Sequence, residues 1–73
     1  MYPVPKGDLA LADRHIAVTE ASIARQVELI SGLVSSGQNP APAESLLAMT
    51  KRSLAATQRY RELILEKLAT RSK

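Results

Sequence analysis

LALADRH, IAVTEAS, IARQVEL and ISGLVSS follow one another from Leu9 to Ser36, four sevens without a gap. Leu9, Ile16, Ile23 and Ile30 open them, and Ala10, Ala17, Ala24 and Ser31 come next. A residue recurring every seventh place returns to nearly the same side of an α-helix, because two turns take about 7.2 residues. A bulky column beside a small one is a surface that a second helix can approach closely. Asp8 stands ahead of the first seven, where its carboxylate can accept an N–H of an opening helical turn. Helix 1 is expected over about residues 8–36.

The pattern stops at SSGQNPAP, residues 35–42. Gly37 suits the left-handed residue that closes a helix, and Asn39-Pro40 suits the start of another, so the turn is placed at 37–40. Gly32 lies inside helix 1 and weakens its last turn by about 1 kcal/mol. Beyond the turn, Leu47, Leu54, Arg61 and Leu68 form a second sevenfold column, joined by Leu46 and Ile64. Met49, Tyr60, Leu63 and Leu65 flank it, and Thr50 and Thr57 fall at intervening places. Pro42 is the one Pro or Gly after Ala41, and a first helical turn tolerates it. Helix 2 is expected over about 41–71. Pro3, Pro5 and Gly7 make residues 1–7 an extended arm, which leaves 8–73 as the folded unit. Two long helices joined by four residues must be antiparallel neighbours. The fold class is all-α, a helical hairpin.

Composition limits what such a hairpin can do alone. The chain has 73 residues with no Cys, no Trp, no Phe and two Tyr. Disulfides and thiolate zinc sites are excluded together. A single core in so short a chain supplies only about 3–5 kcal/mol without a metal, a disulfide or a partner. Val27, Leu33 and Val34 widen the apolar stripe of helix 1 beyond one seam, so a surplus must be covered. A second hairpin completing a four-helix bundle is the commonest closed answer. The core and dimer interface are therefore expected at Leu9, Ile16, Ile23, Val27, Ile30, Leu47, Leu54, Ile64 and Leu68. An apolar partner of another kind would cover the same surface. Thr19, Glu20 and Gln26 in helix 1, like Thr50, Thr57 and Arg61 in helix 2, are read as polar layers that set register.

Charge supports the pairing of the helices. Asp8, Asp13, Glu20 and Glu28 against Arg14 and Arg25 leave helix 1 at −2. Seven bases against three acids give +4 from Glu44 onward, and Lys6 completes the net +3. A fold at 38–40 is expected to set Asp8 opposite Arg71, Asp13 opposite Lys67, Glu20 opposite Arg59, Arg14 opposite Glu66, and Glu28 opposite Lys51 or Arg52. Each exposed pair adds at most about 1 kcal/mol.

LALADRHIA (9–17), IARQVELI (23–30) and the SGQNPAPAESLL turn resemble a family of short cytoplasmic alphaproteobacterial proteins, rhizobial in type and without an assigned function. The resemblance covers most of residues 9–68 and implies a bacterial two-helix protein. It departs at TQRYR (57–61), where the family carries histidines, and it implies no activity.

Chemistry finds little purchase. His15 is the one His, and Leu11, Ala12, Val18 and Thr19 occupy the places a second metal ligand would need. Neither a P-loop nor a dinucleotide fingerprint occurs, and no Ser-His-Asp set is recognisable. No cofactor and no enzymatic activity are expected. No run approaches the roughly 20 apolar residues of a membrane span, and MYPVPKGD has no signal-like apolar stretch, so a cytoplasmic protein is expected. Lys51, Arg52, Arg59 and Arg61, with Tyr60 among them, give helix 2 a basic stretch. Weak RNA or DNA binding by a dimer is the alternative function, by analogy of shape with hairpin dimers that bind RNA loops.

Overall fold

The computed structural model describes residues 6–71, and the side chains of residues 7–70. It is an all-α hairpin: α1 runs Lys6–Ser35 and α2 runs Ala41–Arg71. Among the described residues there is no strand. The arm expected over 1–7 is shortened, because Lys6 and Gly7 are helical, and its residues 1–5 lie outside the described residues. Asp8 thus sits within the first turn of α1 rather than before it. There its charge still faces the positive end of the helix dipole.

The turn is built from the residues that suit it. Gly37 takes φ +76°. The Gln38 N–H reaches back to Leu33 O at 2.8 Å and the Gly37 N–H to Val34 O at 3.1 Å. These two bonds are a Schellman closure, which satisfies carbonyls that the end of a helix otherwise orphans. Gly32 does not interrupt α1: its carbonyl accepts the Ser36 N–H at 3.0 Å, and the Ser36 hydroxyl also donates to it at 3.0 Å. On the other side, Asn39 Oδ1 accepts the Ala41 N–H at 3.1 Å and Glu44 N–H bonds Pro40 O at 2.8 Å. Pro40 and Pro42 fall where a helix start has no N–H to lose.

One seam joins the helices. Its α1 members are Leu9, Ala12, Ile16, Thr19, Ile23, Gln26, Ile30 and Leu33, spaced alternately three and four apart. Its α2 members, from Pro40 and Ala43 through Leu47 to Arg61, Ile64 and Leu68, keep the same alternation. Gln26 Nε2 donates to Thr50 Oγ1 across the seam at 3.1 Å. Stepping one heptad each way from that contact sets Thr19 level with Thr57, Ala12 with Ile64 and Leu33 with Ala43. Small opposes large in two of these layers. Ala12 and Ile64 are the only apolar residues buried to below a tenth exposure among those described, at 5 % and 2 %.

The threonine hydroxyls of the polar layers are satisfied locally. Thr19, Thr50 and Thr57 donate their hydroxyls to the carbonyls of His15, Leu46 and Ser53, each four residues back in its own helix. Their methyl groups are then free to pack. Gln26 also donates to Ser22 Oγ at 3.1 Å, while its Oε1 is buried without a partner.

The register corrects the charge pairing expected above. Arg61 Nε donates to Asp13 Oδ1. Asp13 therefore meets Arg61 and not Lys67, and the pairs expected for Arg14, Glu20 and Glu28 are displaced by about a turn, while that of Asp8 with Arg71 falls on a side chain outside the described residues. Size complementarity in the seam and the length of the turn set the register, and exposed charges of small individual worth adapt to it.

Candidate interaction face

Moving one residue along a helix turns the side chain by about 100°. Residues one place before each seam position therefore line one broad side of the hairpin, and residues one place after line the other. Two hollows verify this. Leu11 and His15 of α1 share a hollow of about 300 Å³ with Tyr60 of α2. Asp13 of α1 shares one of about 390 Å³ with Gln58 and Glu62 of α2, on the opposite side.

The two sides differ in kind. The first carries Leu11, Val18 and Leu29 from α1 and Leu46, Met49, Tyr60 and Leu63 from α2, all between 41 % and 62 % exposed. The second carries Ala10, Ala17, Ala24, Ala48 and Ala55 interleaved with Asp13, Glu20, Glu44, Lys51 and Glu62. Its large apolar residues are Val27, Val34 and Leu65. Asp8, His15, Ser22, Arg25, Ser53 and Lys67 interrupt the bulk of the first side, which still holds seven of the ten exposed large apolar residues among those described.

Eight of the nine residues expected to form core and dimer interface stand in the seam between α1 and α2: Leu9, Ile16, Ile23, Ile30, Leu47, Leu54, Ile64 and Leu68. They serve the hairpin itself. Val27 lies exposed on the alanine side. The exposed bulky side thus comprises residues that sequence reasoning treats as flanks or passes over, above all Leu11, Val18 and Leu29. Their signal was present, since each stands one place before a seam residue, but it has meaning only once the seam is known.

The four basic residues do not converge. Lys51 lies on the alanine side, while Arg52 and Arg59 share the back of α2 two turns apart. Arg59 pairs with Glu62 at 3.5 Å, and Arg61 turns into the seam edge to meet Asp13. His15 is exposed beside Tyr60, and among the described residues no group of three or more His, Cys, Asp or Glu is placed to hold a metal. No described helix is long and apolar enough to cross a membrane.

Fold and face together define the class: an all-α helical hairpin with one apolar broad side. No family model, curated protein or solved structure matches the chain.

Proposed function

We propose that the chain is a non-enzymatic interaction module, a cytoplasmic helical hairpin that works by associating through its apolar broad side into a homodimeric four-helix bundle. The observation that carries this is the imbalance between core and surface. Among the described residues two apolar ones lie below a tenth exposure, while seven bulky ones stand open on a single side. Two helices touching along one seam recover too little from burial to offset their ordering. On this reading its kin are the short two-helix alphaproteobacterial proteins that it resembles. The nucleic-acid alternative draws less support, because Arg59 and Arg61 face carboxylates and Lys51 and Arg52 lie on different sides.

Native mass spectrometry of the protein taken gently from its host tests the proposal. A mass of twice 7.9 kDa with nothing attached is expected. A single-chain mass in a fully helical sample rejects self-association, and a bound oligonucleotide would restore the basic-stretch reading.

A further inference from the structure

We infer that the occupant of the apolar side is a second copy of the chain, related by a two-fold axis parallel to the helices, so that α1 of each copy lies on α2 of the other. This rests on the dimeric reading and adds to it a face, an orientation and facing residues.

The area fits first. The hairpin exposes 5562 Å², against about 4,400 Å² for a compact monomer of its mass. The seven bulky residues of the apolar side, at roughly 100 Å² of open surface each, come close to the ~800 Å² that each partner contributes to a standard interface. One molecule is thus over-exposed by roughly 1,200 Å², more than one such contact covers.

Angle comes next. In a square bundle each helix meets two neighbours about 90° apart. The apolar stripe stands one residue before the seam on both helices, a rotation of about 100°. Each helix therefore carries a second seam in the direction where a bundle places its second neighbour.

Level and charge choose the occupant and its orientation. Rotation about an axis parallel to the helices preserves height, so residues level within the hairpin become facing residues in the dimer. The contacts of Asp13 with Arg61 and of Gln26 with Thr50 fix those levels. Leu11 then faces Leu63 of the second copy, Leu29 faces Leu46, and Asp8 faces Lys67. Bulk meets bulk toward both ends and a carboxylate meets an ammonium. Each α1, net acidic from Asp8 onward, gains a second net basic α2 as neighbour. An axis running across the helices would instead put α1 on α1, both net acidic, and α2 on α2, both net basic.

Cysteine pairing tests this cleanly, because the chain has no Cys of its own. Val18 and Ala56 are both exposed and level with each other, so Val18→Cys and Ala56→Cys are made as separate chains. Under mild oxidation an equimolar mixture should yield the mixed disulfide dimer at least tenfold faster than either chain alone links to itself. Leu29→Glu should raise the dimer dissociation constant tenfold or more, while Val34→Glu on the other side leaves it within twofold. Rapid self-linking of each chain alone would overturn the orientation. A dimer that tolerates Leu29→Glu but not Val34→Glu would overturn the face while leaving the module reading intact. A wild-type chain that stays single and helical at high micromolar concentration would overturn both.

Discussion

The two broad sides of the hairpin are equally long and stand symmetrically about the same seam, yet they solve the same problem in opposite ways. The alanine side is mostly short side chains with charges between them that hold water, and Val27, Val34 and Leu65 are its only exposed bulk among the described residues. The other side has Leu, Met, Tyr and Val at matching places, which water covers at a cost of about 25 cal/mol per Å² of apolar surface. The difference teaches that the hydrophobic surplus of this chain has a direction. Symmetrical amphipathicity would have made a hairpin sticky all round. One-sided bulk makes a hairpin with one partner surface, and Asp13 sharpens the division by drawing the Arg61 guanidinium toward its own side.

The largest effect should come from breaking the seam on which both sides depend. Ile23→Asp puts a carboxylate into the apolar seam between α1 and α2, where Leu54 is a seam residue near its level, while Lys51 and Arg52 lie outside the seam. A cost of about 3 kcal/mol or more exceeds what a small hairpin has to lose. Far-ultraviolet circular dichroism should show most of the helicity gone. Ala24→Asp, one residue along on the alanine side, should leave the spectrum intact. Equal spectra from the two variants would mean that the seam is not what holds the fold.

A smaller change, of opposite sign, is expected at Gln26. Its buried Oε1 has no partner, and such an acceptor costs about 1–3 kcal/mol. Gln26→Leu removes the acceptor and fills the layer, so the urea midpoint should rise with its slope unchanged. The gain should come with looser specificity, because the Gln26–Thr50 contact is the one polar bond across the middle of the seam among those described. In chains carrying Gln26→Leu, Val18→Cys should then be trapped by Ser53→Cys and Tyr60→Cys partners as well as by Ala56→Cys. A midpoint that falls would show that the amide stabilises the seam and does more than align it.

How much of this was legible beforehand follows from the same physics. Both helices and the turn were readable, because local signals act over few residues. The sevenfold columns, Gly37 with its positive φ, and Asn39 capping Ala41 each decide structure within one or two turns. Register was misjudged because it was read from charges, whose long side chains reach several levels and contribute little at any one. Ala12 against Ile64 fixes it better, yet a lone Ala in an Ala-rich helix carries no visible mark. The apolar side stayed hidden for a related reason. Leu11, Val18 and Leu29 look like scattered flanks until the seam defines the residue that each precedes.

Glycines give the next test, about 1 kcal/mol in each direction. Gly32 is helical and a Cβ there meets nothing within 4 Å, so Gly32→Ala should raise stability by about 0.5–1 kcal/mol. Gly37 has equal room but a φ of +76°, so Gly37→Ala should lower it by about 1–2 kcal/mol. Opposite shifts in the thermal midpoint are the expected result. Shifts of the same sign would remove the left-handed closure as the reason for glycine at 37.

The smallest effect belongs to the boundary between the two sides. Asp13 and Arg61 are 52 % and 38 % exposed at the side chain, so solvent screens their attraction. A double-mutant cycle over Asp13→Ala and Arg61→Ala should return a coupling of about 0.2–1 kcal/mol. The coupling should shrink toward zero in 1 M salt, where the screening length is about 3 Å. The pair matters more for where the charge is held than for how much it stabilises. With Asp13 gone, the guanidinium at the seam edge loses its carboxylate and is no longer held to the alanine side, away from the surface assigned to the second copy. Asp13→Ala should therefore weaken the dimer by more than it destabilises the hairpin, read as a rise in dissociation constant at unchanged helicity. A coupling that survives high salt, or a dimer indifferent to Asp13, would show that the two sides are separated by the alanines alone.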